Sequence, residues 1–376
     1  FYKTGLKPAW LQAWLSLEYN SGMTQLDILL PFGLPPAELS ADLLKELDLP
    51  ALAALTARAK SEDSAARHQK YDDFRRALPH ESWLAGQFGL ESGLASNSSP
   101  PIAAALMQSM RLNVDTGTWF ILQPVHIHIA RDHLVLTDPR QLALAEQDAR
   151  SLFDIAAPLF EEYGKRLLYG NAGTWFVHAD DWAELQTSTP DAATGHNIDI
   201  WMPKGPQERD WRKLQNEVQM HWFSHSVNEK REARGMKAVN SLWLWGGPGM
   251  NSDQVARRYD KGFNLSGWMQ GFSQLLPQHG TADNGAELPA NLRERNLLLL
   301  SALLEPALSN DWSRWLDAMH CLEKDWFAPL LQALRIGTID QLSFIVTDDA
   351  RLSRYTTNRS SLRKFWIKPS LAPLCP

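Results

Sequence analysis

Cysteine is scarce in this chain: two in 376 residues, Cys321 and Cys375. That excludes a disulfide framework and a cysteine-based zinc site, and it makes a reducing cytoplasm the expected location. No apolar run approaches the ~20 residues that span a bilayer, so no membrane partner is expected. Positive charge is not in excess either. Lys and Arg number 37 against 43 Asp and Glu, a net charge of −6, which leaves no basic field for nucleic acid. There is no Gly-x-Ser-x-Gly nucleophile elbow, no Lys-Ser/Thr ending of a nucleotide-binding loop, and no repeat of fixed period.

What is present reads as a globular α/β protein. Hydrophobic residues are 44% and charged residues 21%, and 376 residues exceed one ordinary compact core, so two units are expected. Residues 26–30 are apolar enough for a buried strand, and 43–59 read as helices broken at Pro50. The charged stretch 61–76 reads as solvated, 92–101 as a linker and 102–112 as a helix. From residue 118 the pattern turns to strands at 119–129 and 134–136, a helix at 143–163 and a hairpin at 167–177. A strand at 197–202, a helix at 208–223 and a strand at 242–245 follow. The last third predicts helices at 292–304 and 312–334 and a strand at 342–346. Met23-Thr24-Gln25 reads like a natural start. Residues 1–22 are expected to be a helical extension or a translated upstream stretch, and they lack a signal-peptide layout.

One stretch carries more than periodicity. It begins Thr187-Ser188-Thr189-Pro190-Asp191-Ala192-Ala193-Thr194-Gly195. It continues with His225-Ser226-Val227-Asn228, Arg231 and Gly235, and ends Val239-Asn240-Ser241-Leu242-Trp243-Leu244-Trp245-Gly246-Gly247. This ordered set resembles "T-x-P-P-H-D-x-x-G … H-P-V-N-x-x-R … G … A-N-x-x-W-L-W-G-x-G" of the archaeal-type 2,3-bisphosphoglycerate-independent phosphoglycerate mutases, a branch of the alkaline phosphatase superfamily. A bacterial subfamily related to the RpfE-type regulatory protein is the nearest kind it suggests. The resemblance implies an alkaline phosphatase-like, mostly parallel sheet with helices on both faces, formed by 23–115 and 240–376. A smaller inserted α+β domain is implied over 116–239.

The same resemblance implies two divalent metals, Mn, Mg or Zn, acting on a phosphorylated ligand, but the chain departs from the pattern where that chemistry lies. The Asp-Gly after the first strand is Pro31-Phe32-Gly33 here. The phosphorylated hydroxyl should fall near Pro79-His80-Glu81-Ser82, where Ser82 is the only hydroxyl. The late Asp-His pair is Asp348-Asp349. The expectation is therefore a mutase-like protein with a degenerate two-metal site that binds a metabolite or a protein partner without turnover. An active mutase or phosphatase using substitute ligands, and a pure protein-interaction module, remain alternatives.

Candidate residues follow from this. Asp27, Asp348 and Asp349 are candidate metal ligands at strand ends, with Ser82 as candidate nucleophile. Glu217, His221 and His225 fall at i, i+4 and i+8 of one helix face and could ligate metal, or simply pack and cap. His225, Asn228, Arg231 and Asn240 are candidate ligand contacts, since a guanidinium fork fits phosphate or carboxylate; Arg234 is a weaker one. His126 and His128 share one strand face, as metal ligands or as a half-exposed surface. Gly246-Gly247-Pro248-Gly249 could form an anion nest or a hinge.

Overall fold

The protein is described from a computed structural model that covers residues 22–59, 68–70, 75–90, 98–247 and 256–375. The expected extension up to residue 21, most of the linker-like stretch 92–101, and Pro248 and Gly249 lie outside the described residues.

In chain order the first elements are β1 (Gln25–Leu30), α1 (Ser40–Lys45), α2 (Pro50–Ala57), β2 (His68–Lys70), α3 (Pro79–Gln87) and α4 (Ala103–Ser109). The middle of the chain supplies β3 (Trp119–Val125), β4 (Ile127–Ala130), β5 (His133–Leu136), α5 (Glu146–Glu162), β6 (Arg166–Asn171), β7 (Thr174–His178), α6 (Pro190–Ala193), α7 (Glu208–Phe223), α8 (Ser226–Ala233) and β8 (Ser241–Trp245). The last third holds β9 (Lys261–Phe263), β10 (Gln278–Gly280), β11 (Arg295–Leu299), α9 (Leu304–Leu308), α10 (Trp312–Leu322), α11 (Ala328–Ile336), β12 (Gln341–Thr347) and β13 (Arg351–Asn358).

The large sheet has the order β10-β9-β11-β1-β12-β13-β2. Its first five strands are parallel, and β13 and β2 each run antiparallel to the preceding strand. Leu26, Ile28 and Leu30 point to one face of β1 and Leu29 to the other, and all are fully buried. Both faces are therefore covered, as a mostly parallel sheet requires. The mixed α/β class expected from the sequence is observed.

The small sheet, β6-β7-β3-β8, is antiparallel and sandwiched. Trp119, Ile121, Phe176, Trp243 and Trp245 face the main core. The alternating residues Phe120, Leu122, Trp175, Val177, Leu242 and Leu244 face a second core, closed by Leu152 and Phe160 of α5 and Trp211, Leu214, Val218 and Trp222 of α7. The period of two along the strands puts one unit on each side. Trp243 and Trp245 are core residues, as their alternation predicts.

Several expectations are corrected. Residues 295–299 form the buried parallel strand β11, pairing with β1 and β9, where a helix over 292–304 was expected. A short leucine run fits a buried strand and a buried helix equally well. β8 pairs with β3 in the small sheet, so the chain does not return to the large sheet at residue 240. The stretch 119–129 breaks at His126, and β4 pairs with β5 in a separate ribbon. Residues 198–200 are a 3-10 turn, not a strand. Arg76, the last residue of the stretch expected to be solvated, is buried and donates to Ser188 Oγ at 3.0 Å and to the carbonyl of Met202 at 3.1 Å.

Candidate functional site

The C-terminal ends of parallel strands are where ligands bind in open α/β sheets. Here the chain leaving β1 bends at Phe32, a non-glycine residue in the left-handed region at φ 55°. The bend is held by bonds from Phe32 N to Thr347 Oγ1 (3.3 Å) and from Leu34 N to the Thr347 carbonyl (3.0 Å) at the end of β12. Trp315 Nε1 donates to the Phe32 carbonyl at 2.9 Å. A buried phenyl ring thus occupies the strand end where the resembled pattern has a carboxylate.

Beside it opens a cleft of about 190 Å³, lined among others by Phe32, Leu78, Asp191, His196, Trp312 and Asp349. Asp348 also lines it, but its carboxylate closes the turn into β13. It accepts from Ala350 N (2.9 Å), Arg351 N (2.5 Å) and Arg351 Nε (2.6 Å). Asp349 is exposed at the rim. Desolvation and then the neighbouring Asp348 raise its pKa, opposed by His196 and Arg351. The His196 ring stacks on Trp201 at 5.1 Å.

The floor is a buried polar network. Pro79 opens α3 and Glu81 sits at its third position, where its carboxylate reaches back to the Leu78 amide at 2.7 Å, one half of a capping box. The same oxygen accepts from Thr189 Oγ1 at 2.6 Å. The Thr189 hydroxyl also accepts from Ala192 N at 3.3 Å and so caps α6. Burial, then the nearby Asp191 carboxylate, pushes Glu81 up to about 8 against the opposing hydrogen bonds and Arg140. Its other oxygen, Oε1, is buried without a partner. His80 is fully buried against Phe32 (ring centroids 6.0 Å apart) with neither nitrogen bonded. Burial, with the Arg140 charge second, brings it down to about 3, so it is neutral.

Arg140 joins this network from the small unit. It forks onto Asp191 with bonds of 2.8 and 3.2 Å and donates its Nε to Asp138 at 3.1 Å. Burial alone would lower its pKa, but the charges of Asp191 and Asp138 and the hydrogen bonds to them raise it. The ion pair divides two spaces. Beyond it lies a larger cavity of about 410 Å³, where Leu106, Met110, Gln123, Leu142 and Trp268 surround the Arg140–Asp191 pair. A mostly apolar cavity with a few fixed polar groups between two units is a typical small-molecule site.

The residues singled out from the sequence scatter over the structure. Asp348 and Asp349 line the 190 Å³ cleft. Asp27 is not with them: it lies toward the opposite end of β1, bonded by Tyr259 Oη at 2.9 Å. Ser82 is half-buried on α3 and lines neither cavity. Glu217 and His221 lie on α7 beside the second core, where Glu217 accepts from Tyr163 Oη at 2.9 Å and His221 is exposed. His225 caps α8, its Nδ1 accepting from Val227 N at 3.3 Å. Asn228 is buried, donating to the carbonyls of Trp222 and Val239 (2.9 Å each) and accepting from Val239 N (2.8 Å). Arg231 is buried too and donates to the carbonyls of Lys237 (2.9 Å) and Leu142 (2.5 Å). Asn240 bridges the break after β3, pairing with the amide and the carbonyl of Ile127 at 2.8 and 2.7 Å. Asn228, Arg231 and Asn240 tie α8 and the chain entering β8 to the body, while the His225 side chain bonds within its own helix start. Arg234 is exposed. His126 and His128 stack at 5.8 Å, and His126 Nδ1 bonds the Ala238 carbonyl at 2.7 Å.

Among the described residues no three His, Cys, Asp or Glu side chains gather closely enough to hold an ion. The residues that do converge, His80, Glu81, Asp138, Arg140, Asp191 and His196, were not singled out. The signals for them were the motif stretch that holds Asp191, and Pro79 and Pro190, each just inside a helix start. No helix among the described residues is long and apolar enough to cross a membrane.

The class is an α/β protein with a mostly parallel central sheet. No family model matches the chain. Over 64 residues, 17% of this chain, it is 33% identical to the 2,3-bisphosphoglycerate-independent phosphoglycerate mutase of Methanosarcina mazei, and the match spans 16% of that protein's length. Two solved structures are similar over most of their length. One is a cofactor-independent phosphoglycerate mutase from Thermoplasma acidophilum, with TM-score 0.44, 14% identity and 94% of each chain covered. The other is the PH0037 protein from Pyrococcus horikoshii, with TM-score 0.46, 12% identity, and 91% of this chain and 92% of that one covered.

Proposed function

We propose that this chain is a phosphoglycerate mutase-like protein on an alkaline phosphatase-like scaffold, of a divergent bacterial subfamily related to the RpfE-type regulatory protein. In this reading its two-metal site is degenerate, and it works in the cytoplasm by binding a phosphorylated or carboxylated metabolite without turning it over. The ligand would sit in the spaces flanking Arg140 and Asp191. One observation carries the reading. Laid on Thr187–Gly195, the motif's His and Asp fall on Asp191 and Ala192, and both oxygens of Asp191 are held by Arg140. An ion pair stands where metal-directed chemistry would need free ligands. The short stretch at 33% identity supports the family likeness.

Purified protein saturated with Mn²⁺ tests the catalytic half. No interconversion of 3- and 2-phosphoglycerate is expected, and robust interconversion overturns the reading. Thermal unfolding with 3-phosphoglycerate or phosphoenolpyruvate tests the binding half. A ligand at about 100 times its dissociation constant stabilises by about 2.7 kcal/mol. No shift with either compound removes the metabolite from the proposal.

A further inference from the structure

A third pocket, of about 240 Å³, lies toward the N-terminal ends of β1 and β11, at the other end of the sheet from the cleft. It belongs to no part of the reading above. Its lining is mostly polar and includes Asp27, Gln87, Arg258, Tyr259, Arg295 and Arg354. Two of the three guanidiniums have donors to spare. Arg354 reaches Asp27 only at 3.4 Å, its Nε has no partner, and 39% of its side chain is exposed. Arg258 is exposed, and its one hydrogen bond among the described residues is to the Gln87 side chain, at 3.4 Å. Arg295 is already engaged with Asp260 at 3.1 Å.

Asp27 explains how the pocket is built. Its carboxylate is mostly buried and lines the pocket, and its Oδ2 accepts from Tyr259 Oη at 2.9 Å and from Arg354 at 3.4 Å, so it anchors Tyr259 and Arg354 together. Three guanidiniums against the carboxylates of Asp27 and Asp260 leave one net positive charge on the pocket, in a chain whose net charge is −6. Free guanidinium forks match the paired oxygens of a carboxylate or phosphate. A lining of mostly polar surface disfavours lipid tails, and the volume suits a molecule of a few carbons.

We propose that this pocket is a separate binding site for a small doubly charged oxyanion, a phosphate monoester or a dicarboxylate, gripped by Arg258 and Arg354 with Asp27 and Tyr259 as positioning residues. The test is calorimetric titration of the full chain at low salt and mildly alkaline pH, with inorganic phosphate in one arm and succinate in the other. Saturable binding of at least one probe is expected, and the tighter one identifies the ligand class. Arg258→Gln and Arg354→Gln should each weaken it about tenfold, roughly 1.4 kcal/mol. Arg150→Gln, exposed on α5 and outside all three pockets, should leave it unchanged. Arg258 is exposed, so its variant reports on binding even if the Arg354 variant folds poorly. The proposal is overturned if neither probe binds saturably, or if Arg258→Gln leaves both affinities as they were.

Discussion

The Thr189 hydroxyl donates a 2.6 Å hydrogen bond to the Glu81 carboxylate, with both side chains fully buried. That bond joins the first turn of α3 to the loop that carries Asp191, so the cleft floor is one connected unit. It also places a carboxyl group near a second, salt-bridged carboxylate. Two anions this deep could not both stay charged without large cost, and Glu81 is the one that keeps its proton. Arg140 forks onto both oxygens of Asp191. The arrangement makes the floor sensitive to pH, to loss of Arg140 and to loss of Thr189.

The first consequence is a pH dependence of stability. Burial, with Asp191 second, raises Glu81 from an ordinary 4.5 to about 8 in the folded chain. Between those values the folded state holds a proton that the unfolded state releases. Stability from this group is therefore fully present below the unfolded pKa and is lost as pH rises through about 8. Glu81→Gln keeps the shape and removes the titration. In urea unfolding across that window its stability should fall less steeply with pH than that of the unmodified protein. Equal slopes would reject Glu81 as the titrating group.

Arg140 is the second point of attack. Arg140→Met strands Asp138 and Asp191, whose side chains are only 2% and 4% exposed. Breaking a buried pair costs about 3–5 kcal/mol, and the low end applies because 35% of the Arg140 side chain keeps contact with water. Asp191→Asn should cost less, since an amide leaves no buried charge. Combined with Arg140→Met it should recover part of the loss, which a double-mutant cycle of unfolding free energies measures. Additive losses would mean the two side chains act independently.

How much of this was legible in the sequence depends on what set each feature. The helix over 208–223 was plain, because Trp211, Leu214, Val218 and Trp222 recur at helical spacing toward one core. β1 and β12 were plain because parallel strands buried on both faces are nearly continuous in apolar residues. β13 was missed for the opposite reason: Arg351, Ser353, Arg354, Thr356 and Thr357 carry no apolar pattern, and its pairing to β12 comes from the tertiary frame. The site was harder. Residue type and order marked Asn228, Arg231 and Asn240, but cannot tell a side chain aimed at a ligand from one bonded to its own backbone. Glu81 and His80 stood out in the sequence only as neighbours of Ser82, and only the layers packed over them make them buried.

Asn228 decides between those two roles. Its side chain makes three bonds to backbone groups, at the carbonyls of Trp222 and Val239 and the amide of Val239, all buried. They pin the end of α7 and the start of α8 to the chain entering β8. Asn228→Ala leaves those backbone groups unpaired in a dry site, at about 1–3 kcal/mol. Asn228→Asp should be no milder, because a carboxylate cannot donate to two carbonyls. If Asn228 were a ligand contact, the alanine variant would instead keep its stability and lose metabolite affinity. Chemical denaturation of the variant, beside its thermal shift with 3-phosphoglycerate, separates the cases. A loss of about 2 kcal/mol with an unchanged ligand shift is expected, and full stability with the shift abolished would restore Asn228 to the binding site.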